Sequence, residues 1–203
     1  MGLLKGPASF VEFGIVDGAN PTPTESDFIS ERIKTLAFQD IDDTYDEYSV
    51  GWVSVIDMFD SKFLQGNEAM GNFVFVSMRV DERKVPAAVL NKFVAKEEAR
   101  IRVERQIPRL SRGMKIEIKE RIKAELTTKA KPVPTVTDVF WSTSTGTIYF
   151  FSTNKKMQAI FEDKFRKTFG LLISQKVPST IAESFIPDVA QFQIDALSAC
   201  TFI

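Results

Sequence analysis

Two groups of β-branched and aromatic runs flank a stretch, residues 85–131, whose apolar residues recur at helical spacing and whose charge is mostly positive. That order constrains the fold more than any single motif, because a sheet must be assembled from both sides of a helical interruption. Before it, "SVGWVSVID" and "GNFVFVSMRV" are separated by the turn-rich "MFDSKFLQGNEAM" and predict an antiparallel pair. After it, "DVFWSTSTGTIYFFS" predicts a hairpin around Ser144, Thr145 and Gly146. The pattern predicts an α+β fold: a mostly antiparallel sheet core with packed helices and an inserted, protruding pair of charged helices. Residues 1–84 and 132–203 are expected to form the core and 85–131 a tip-like basic helical subdomain.

The remaining segments fit this scheme. "ASFVEFGIV" alternates as a strand until Gly18, Asn20, Pro21 and Pro23 break it, and Thr24 or Ser26 can cap a helix through Phe38. Pro86 suits the first position of a helix reaching about Gln106, and a second helix is expected from Ser111 to Thr128, ended by the prolines of "KPVPTV". Asn154 is placed to cap "KKMQAIFEDKFRKTFG", with Gly170 at its stop, and "LLISQKV" reads as a short strand. Strand, cap and helix thus occur twice, which permits a pseudo-duplicated core. The tail from Pro178 has a short helix expected around Thr180 to Ser184. It closes on Cys200, Phe202 and Ile203, an apolar ending that either docks on the core or continues into further chain.

A formal net charge of −1 conceals strong segregation. Residues 1–78 hold 4 Lys/Arg against 13 Asp/Glu, residues 79–131 hold 16 against 8, and residues 154–176 hold 6 against 2. On a helical wheel Lys92, Lys96 and Arg100 share one face of the first charged helix. Arg112, Lys115, Lys119 and Lys123 line the second, beside an apolar stripe of Met114, Ile118, Ile122 and Leu126. Lys155, Lys156, Arg166 and Lys167 form a second basic patch. Cations in register along a helix suit the phosphates of duplex DNA, whose neutralisation releases counterions without reading sequence. The same face could instead be solvated, or meet an acidic protein partner, which makes a protein–protein adaptor an alternative.

Other chemistries are narrowed by what the chain lacks. With no histidine and one cysteine, Cys200, it has neither the usual imidazole base and zinc ligand nor an intramolecular disulfide. No run approaches the roughly 18 apolar residues needed to cross a bilayer, so an intracellular, soluble protein is expected. "QDIDDTYDEY" gathers Asp40, Asp42, Asp43, Asp46 and Glu47, oxygen ligands that could hold magnesium for a metal-dependent DNA exonuclease; the plainer reading is an acidic loop. The hydroxyls of "STSTG" and "STNKK" suit turns and caps, and there is no glycine loop of the phosphate-cradling kind. No cofactor and no catalytic residue is expected.

Taken together, "GWV" at residues 51–53, "KVPAAVLNKFV" opening the first charged helix, the second basic helix, and "FWSTSTGTIYFFSTNKKMQAIFEDKFRKTFGLLISQKVP" resemble, in order and spacing, the recombination-associated protein RdgC family. The resemblance implies a cytoplasmic, nucleoid-associated protein that binds double-stranded DNA without sequence preference. It also implies a homodimer, a ring with a basic hole around duplex DNA, that restrains RecA-dependent recombination. Two departures bear on ring closure. Relatives are usually longer, their C-terminal part contributing to the wider dimer contact, and "LTTKAKPVP" from Leu126 stands where they often read Leu-Leu-Pro-Arg-Ala-Phe. The expectation is therefore a dimer held by one principal contact and open at the other end.

Overall fold

A computed structural model describes residue 3 and residues 8–16, 26–64, 66, 68–178 and 181. In chain order the elements are β1 (Val11–Ile15), α1 (Ser26–Thr35), β2 (Tyr48–Val53), β3 (Ala69–Met70), β4 (Phe73–Arg83), α2 (Ala87–Glu104), α3 (Arg112–Lys129), β5 (Pro132–Ser142), β6 (Thr147–Phe150), α4 (Lys155–Phe169) and β7 (Ile173–Gln175). The strands form one antiparallel sheet in the order β2-β4-β5-β6-β1-β7, with β3 beside β4, so the α+β expectation holds. β4 and β5 pair without a break from Phe73 opposite Ser142 to Arg83 opposite Pro132, which joins the segments before and after the charged helices.

Alternation sorts each strand into two faces. Phe13, Val76, Met78, Val139, Trp141, Ile148 and Phe150 point to one side and are buried against Ile29 and Ile33 of α1 and Phe161 and Phe165 of α4. Phe161 stacks on Phe150 with ring centroids 4.4 Å apart, and Trp141 meets Phe165 edge-on at 5.2 Å. The Trp52 indole N–H donates to the Thr168 hydroxyl over 2.8 Å, satisfying a polar atom inside that core. α4 has the expected caps: the Asn154 side chain accepts from the Lys156 amide, and Gly170 adopts the left-handed conformation at φ 71°.

Among the boundaries that differ from the sequence reading, three have a clear physical reason. α1 stops at Thr35 rather than Phe38, because the backbone of residues 36–38 turns to pair with β2, the Phe38 amide donating to the Trp52 carbonyl at 2.9 Å. Pro86 caps α2 from outside instead of being its first residue. Pro132 and Pro134 begin β5 rather than merely ending the helix. The carbonyl of Asp138 accepts from Phe151, so residues in the same phase, both prolines included, turn their nitrogens away from β4. β6 pairs only with Val139–Ser142 and does not reach them, so the missing N–H groups fall on an open edge. The helix expected at Thr180 to Ser184 and the apolar ending lie outside the described residues, apart from Ile181.

Lys164 of α4 is buried, its ammonium donating to the Val50 carbonyl at 3.1 Å. Burial, with a smaller contribution from Lys167, lowers its pKa from 10.5 to about 8. The unfolded lysine holds its proton to higher pH, so this group makes folding more favourable as pH rises from about 8 to 10, by up to ~1.4 kcal/mol per pH unit. Urea melts across that range should show the rise in the wild type and a flatter profile in Lys164→Met.

Candidate nucleic-acid interface

The charged helices make their own small apolar contact, separate from the main core. Leu110, Ile118 and Ile122 are buried there, with Leu90, Val94, Ile101, Met114 and Leu126 packed around them, so the predicted stripe of α3 is its packing face. Ser111 caps α3, its hydroxyl accepting from the Met114 amide at 3.2 Å. Glu97 of α2 ties the pair together: it accepts from Arg100 through both oxygens (2.9 and 2.7 Å) and from Arg121 of α3. Those two guanidiniums hold its carboxyl well below the usual range, at about 2.

The sequence-predicted cations fall into two classes. Lys92, Lys96, Arg112, Lys115, Lys119 and Lys123 are exposed and make no ion pair among the described residues. Each four-residue step from Lys115 to Lys119 to Lys123 advances about 6 Å along the axis. That is close to two phosphates of one DNA strand, at ~3.4 Å of rise each. Arg100, by contrast, is taken by Glu97 and Glu104. The second patch is engaged as well: Lys156 pairs with Glu82 at 2.9 Å, Arg166 and Lys167 share Asp163 at 3.2 and 2.6 Å, and Lys155 donates to Gln175.

Arg105, Arg109, Lys129 and Lys131, at helix ends and in the interhelical connection, are likewise exposed and make no ion pair among the described residues. A wheel confined to helix interiors passes over them. Arg105 and Arg109, on either side of Pro108 around the "IPRLSRG" connection, were the available signal.

The acidic segment has another occupation. Arg83 is buried and donates to the carbonyls of Ile41 (2.7 Å), Thr44 (2.9 Å), Asp46 (2.9 Å) and Ala130, so the backbone of this loop closes around a guanidinium at the root of α3. The side chains of Asp40, Asp42, Asp43, Asp46 and Glu47 point outward and are exposed, Asp40 accepting from the Asp42 amide in a local turn. Among the described residues no three acidic or cysteine side chains come together as a metal-holding group. No helix among them is long and apolar enough to cross a membrane.

The sequence profile of the family described as "Putative exonuclease, RdgC" matches residues 18–185 of the 203. The chain belongs to the RdgC family. That span takes in the sheet, both charged helices and α4, and membership supports a DNA-related function. No curated protein matches the chain.

Proposed function

We propose that this RdgC-family chain is a non-enzymatic, sequence-independent double-stranded DNA-binding protein, which grips phosphates with the α2–α3 hairpin and restrains RecA-dependent recombination by occupying or encircling the duplex. The observation that carries the reading is the row of exposed cations on α3, Arg112, Lys115, Lys119 and Lys123, which make no ion pair among the described residues and stand beside an apolar stripe already used for packing. Association with the nucleoid in the cytoplasm and assembly as a homodimer belong to the same proposal. The hairpin offers surface for self-association in a groove of about 800 Å³, where Phe93, Val103 and Ile122 are rimmed by Lys96, Glu97, Arg100 and Glu104.

One gel-shift experiment tests the binding and the rival activity together. Duplex and single-stranded DNA are titrated at several salt concentrations with magnesium present, and DNA length is read from the same samples. Duplex affinity should fall steeply with salt, and each Lys→Ala change on the α3 row should flatten the log–log slope by about 1. Salt-independent affinity would remove the phosphate-ridge reading. The second reading, a metal-dependent exonuclease, is favoured by the family's description. Shortening of the DNA that disappears in Asp42→Asn/Asp43→Asn would replace the first reading with it.

A further inference from the structure

α2 ends in a hydrogen-bond pattern that usually calls for glycine. The Ile107 amide donates to the Arg102 carbonyl at 3.1 Å and the Gln106 amide to the Val103 carbonyl at 3.2 Å, the paired bonds that close a helix through one left-handed residue. That residue is Gln106, exposed and at φ 50°. Glycine is usual at such a position because a Cβ there crowds the neighbouring carbonyl oxygen. Retaining a side chain against that strain points to a use for it. The rest of the turn is fixed: Ile107 packs on the apolar cluster of the hairpin, Leu110 is buried in it, and the Ser111 cap starts α3. From residue 105 to residue 112 the sequence "RQIPRLSR" holds three arginines and no acid. Arg105, Arg109 and Arg112 are exposed and make no ion pair among the described residues.

We propose that this turn reads the minor groove of duplex DNA, with Arg105 and Arg109 entering the groove and the Gln106 amide meeting base edges, while Arg112 and the α3 lysines hold flanking phosphates. The inference rests on the duplex-binding reading above and names the part of the duplex that the turn meets. α2 carries the turn ~27 Å from its own first residue, to the end of the hairpin away from the sheet. Two helices side by side are ~20 Å broad, wider than the ~12 Å major groove, so the end of the hairpin does not enter that groove as a body. Single side chains do pass between the walls of the ~6 Å minor groove. Arginine is drawn there by a negative potential that is strongest where A·T pairs narrow the groove. A glutamine amide donates to the adenine N3 and thymine O2 acceptors, whereas guanine puts a donor, its N2 amino group, in the way. Any run of A·T pairs satisfies this contact, so binding still needs no defined site.

Three duplexes of equal length and charge separate this contact from general phosphate binding: one rich in A·T, one rich in G·C, and the G·C duplex with inosine in place of every guanine. Inosine removes the N2 amino group from the minor groove and leaves the major-groove edge unchanged. In gel shifts at one salt concentration, the A·T and inosine duplexes should both bind about fivefold or more tightly than the G·C duplex. Arg105→Ala/Arg109→Ala should bring the three affinities together. Gln106→Gly gives a readout that a purely structural role would not: its urea midpoint should rise, because glycine relieves the left-handed position, while its preference among the duplexes falls. Equal wild-type affinity for all three duplexes, an inosine duplex bound no better than G·C, or a preference that either variant leaves intact would each overturn the proposal. Failure to bind any of the three would instead remove the duplex-binding reading itself, and this inference with it.

Discussion

Gly51→Ala should cost about 3 kcal/mol or more, or prevent folding altogether, although it adds a single methyl group to a strand. A Cβ at this position would lie 2.1 Å from the Phe38 Cα and 2.4 Å from its nitrogen. The obstacle is backbone, which cannot swing aside as a side chain would. Residues 36–38 would have to leave β2, losing the Phe38 amide bond to Trp52 (2.9 Å) and the Trp52 amide bond to Leu36 (3.3 Å). The Phe38 ring would also leave the Arg79 guanidinium, which it covers at 4.2 Å. Arg79 is buried with Asp81, and an opened cover would hydrate that pair as well. Gly113→Ala is the matched control: its Cβ would meet nothing nearer than the Ser111 hydroxyl at 4.0 Å, and alanine favours the helix by up to ~1 kcal/mol. Urea melts of the two variants should therefore move in opposite directions. A Gly51→Ala midpoint indistinguishable from wild type would mean that residues 36–38 do not cross β2 where the structure has them.

The same position separates what the sequence made legible from what it hid. Local signals were sufficient for the strands around Trp52 and Trp141, for the caps at Asn154 and Gly170, and for the packing stripe of α3, since each depends on neighbours within a few residues. Gly51 was visible only as part of "GWV"; its purpose depends on Phe38, which reaches it through a change of direction that no local pattern encodes. Pro132 and Pro134 looked like breakers because their tolerance in β5 rests on β6 being short. Charge was counted correctly but not assigned. Arg79 and Arg83 contributed to the basic total of residues 79–131, yet the fold buries both, one on Asp81 and the other on a ring of carbonyls. Lys156 finds Glu82 across 74 residues of sequence, a pairing that wheels and windows do not contain. The α3 row was legible because its distinguishing property, a lysine at every fourth residue, is local.

That row leads to the second large effect. Changing Lys115, Lys119 and Lys123 together to Glu should reduce duplex affinity by at least about 100-fold at moderate salt. Three phosphate contacts are lost, their counterion release with them, and three repulsive charges take their place. The residual log–log salt slope should be smaller by about 3 × 0.9. Folding should be nearly unaffected, because the three side chains are exposed and make no ion pair among the described residues, while Ile118, Ile122 and Leu126 keep the hairpin closed. The new Glu–Glu neighbours at four-residue spacing cost only a few tenths of a kcal/mol each, on the order of 0.2–0.5. The parallel experiment reverses Lys155, Lys156, Arg166 and Lys167. Four charges change there instead of three, so a simple dependence on net charge would make this variant the weaker binder. The opposite order is expected, since Glu82 and Asp163 already engage three of those four cations, whereas the α3 lysines have no ion pair among the described residues. Equal losses from the two variants would show that DNA senses only the overall charge of the chain; a larger loss from the α4 variant would move the interface off the hairpin.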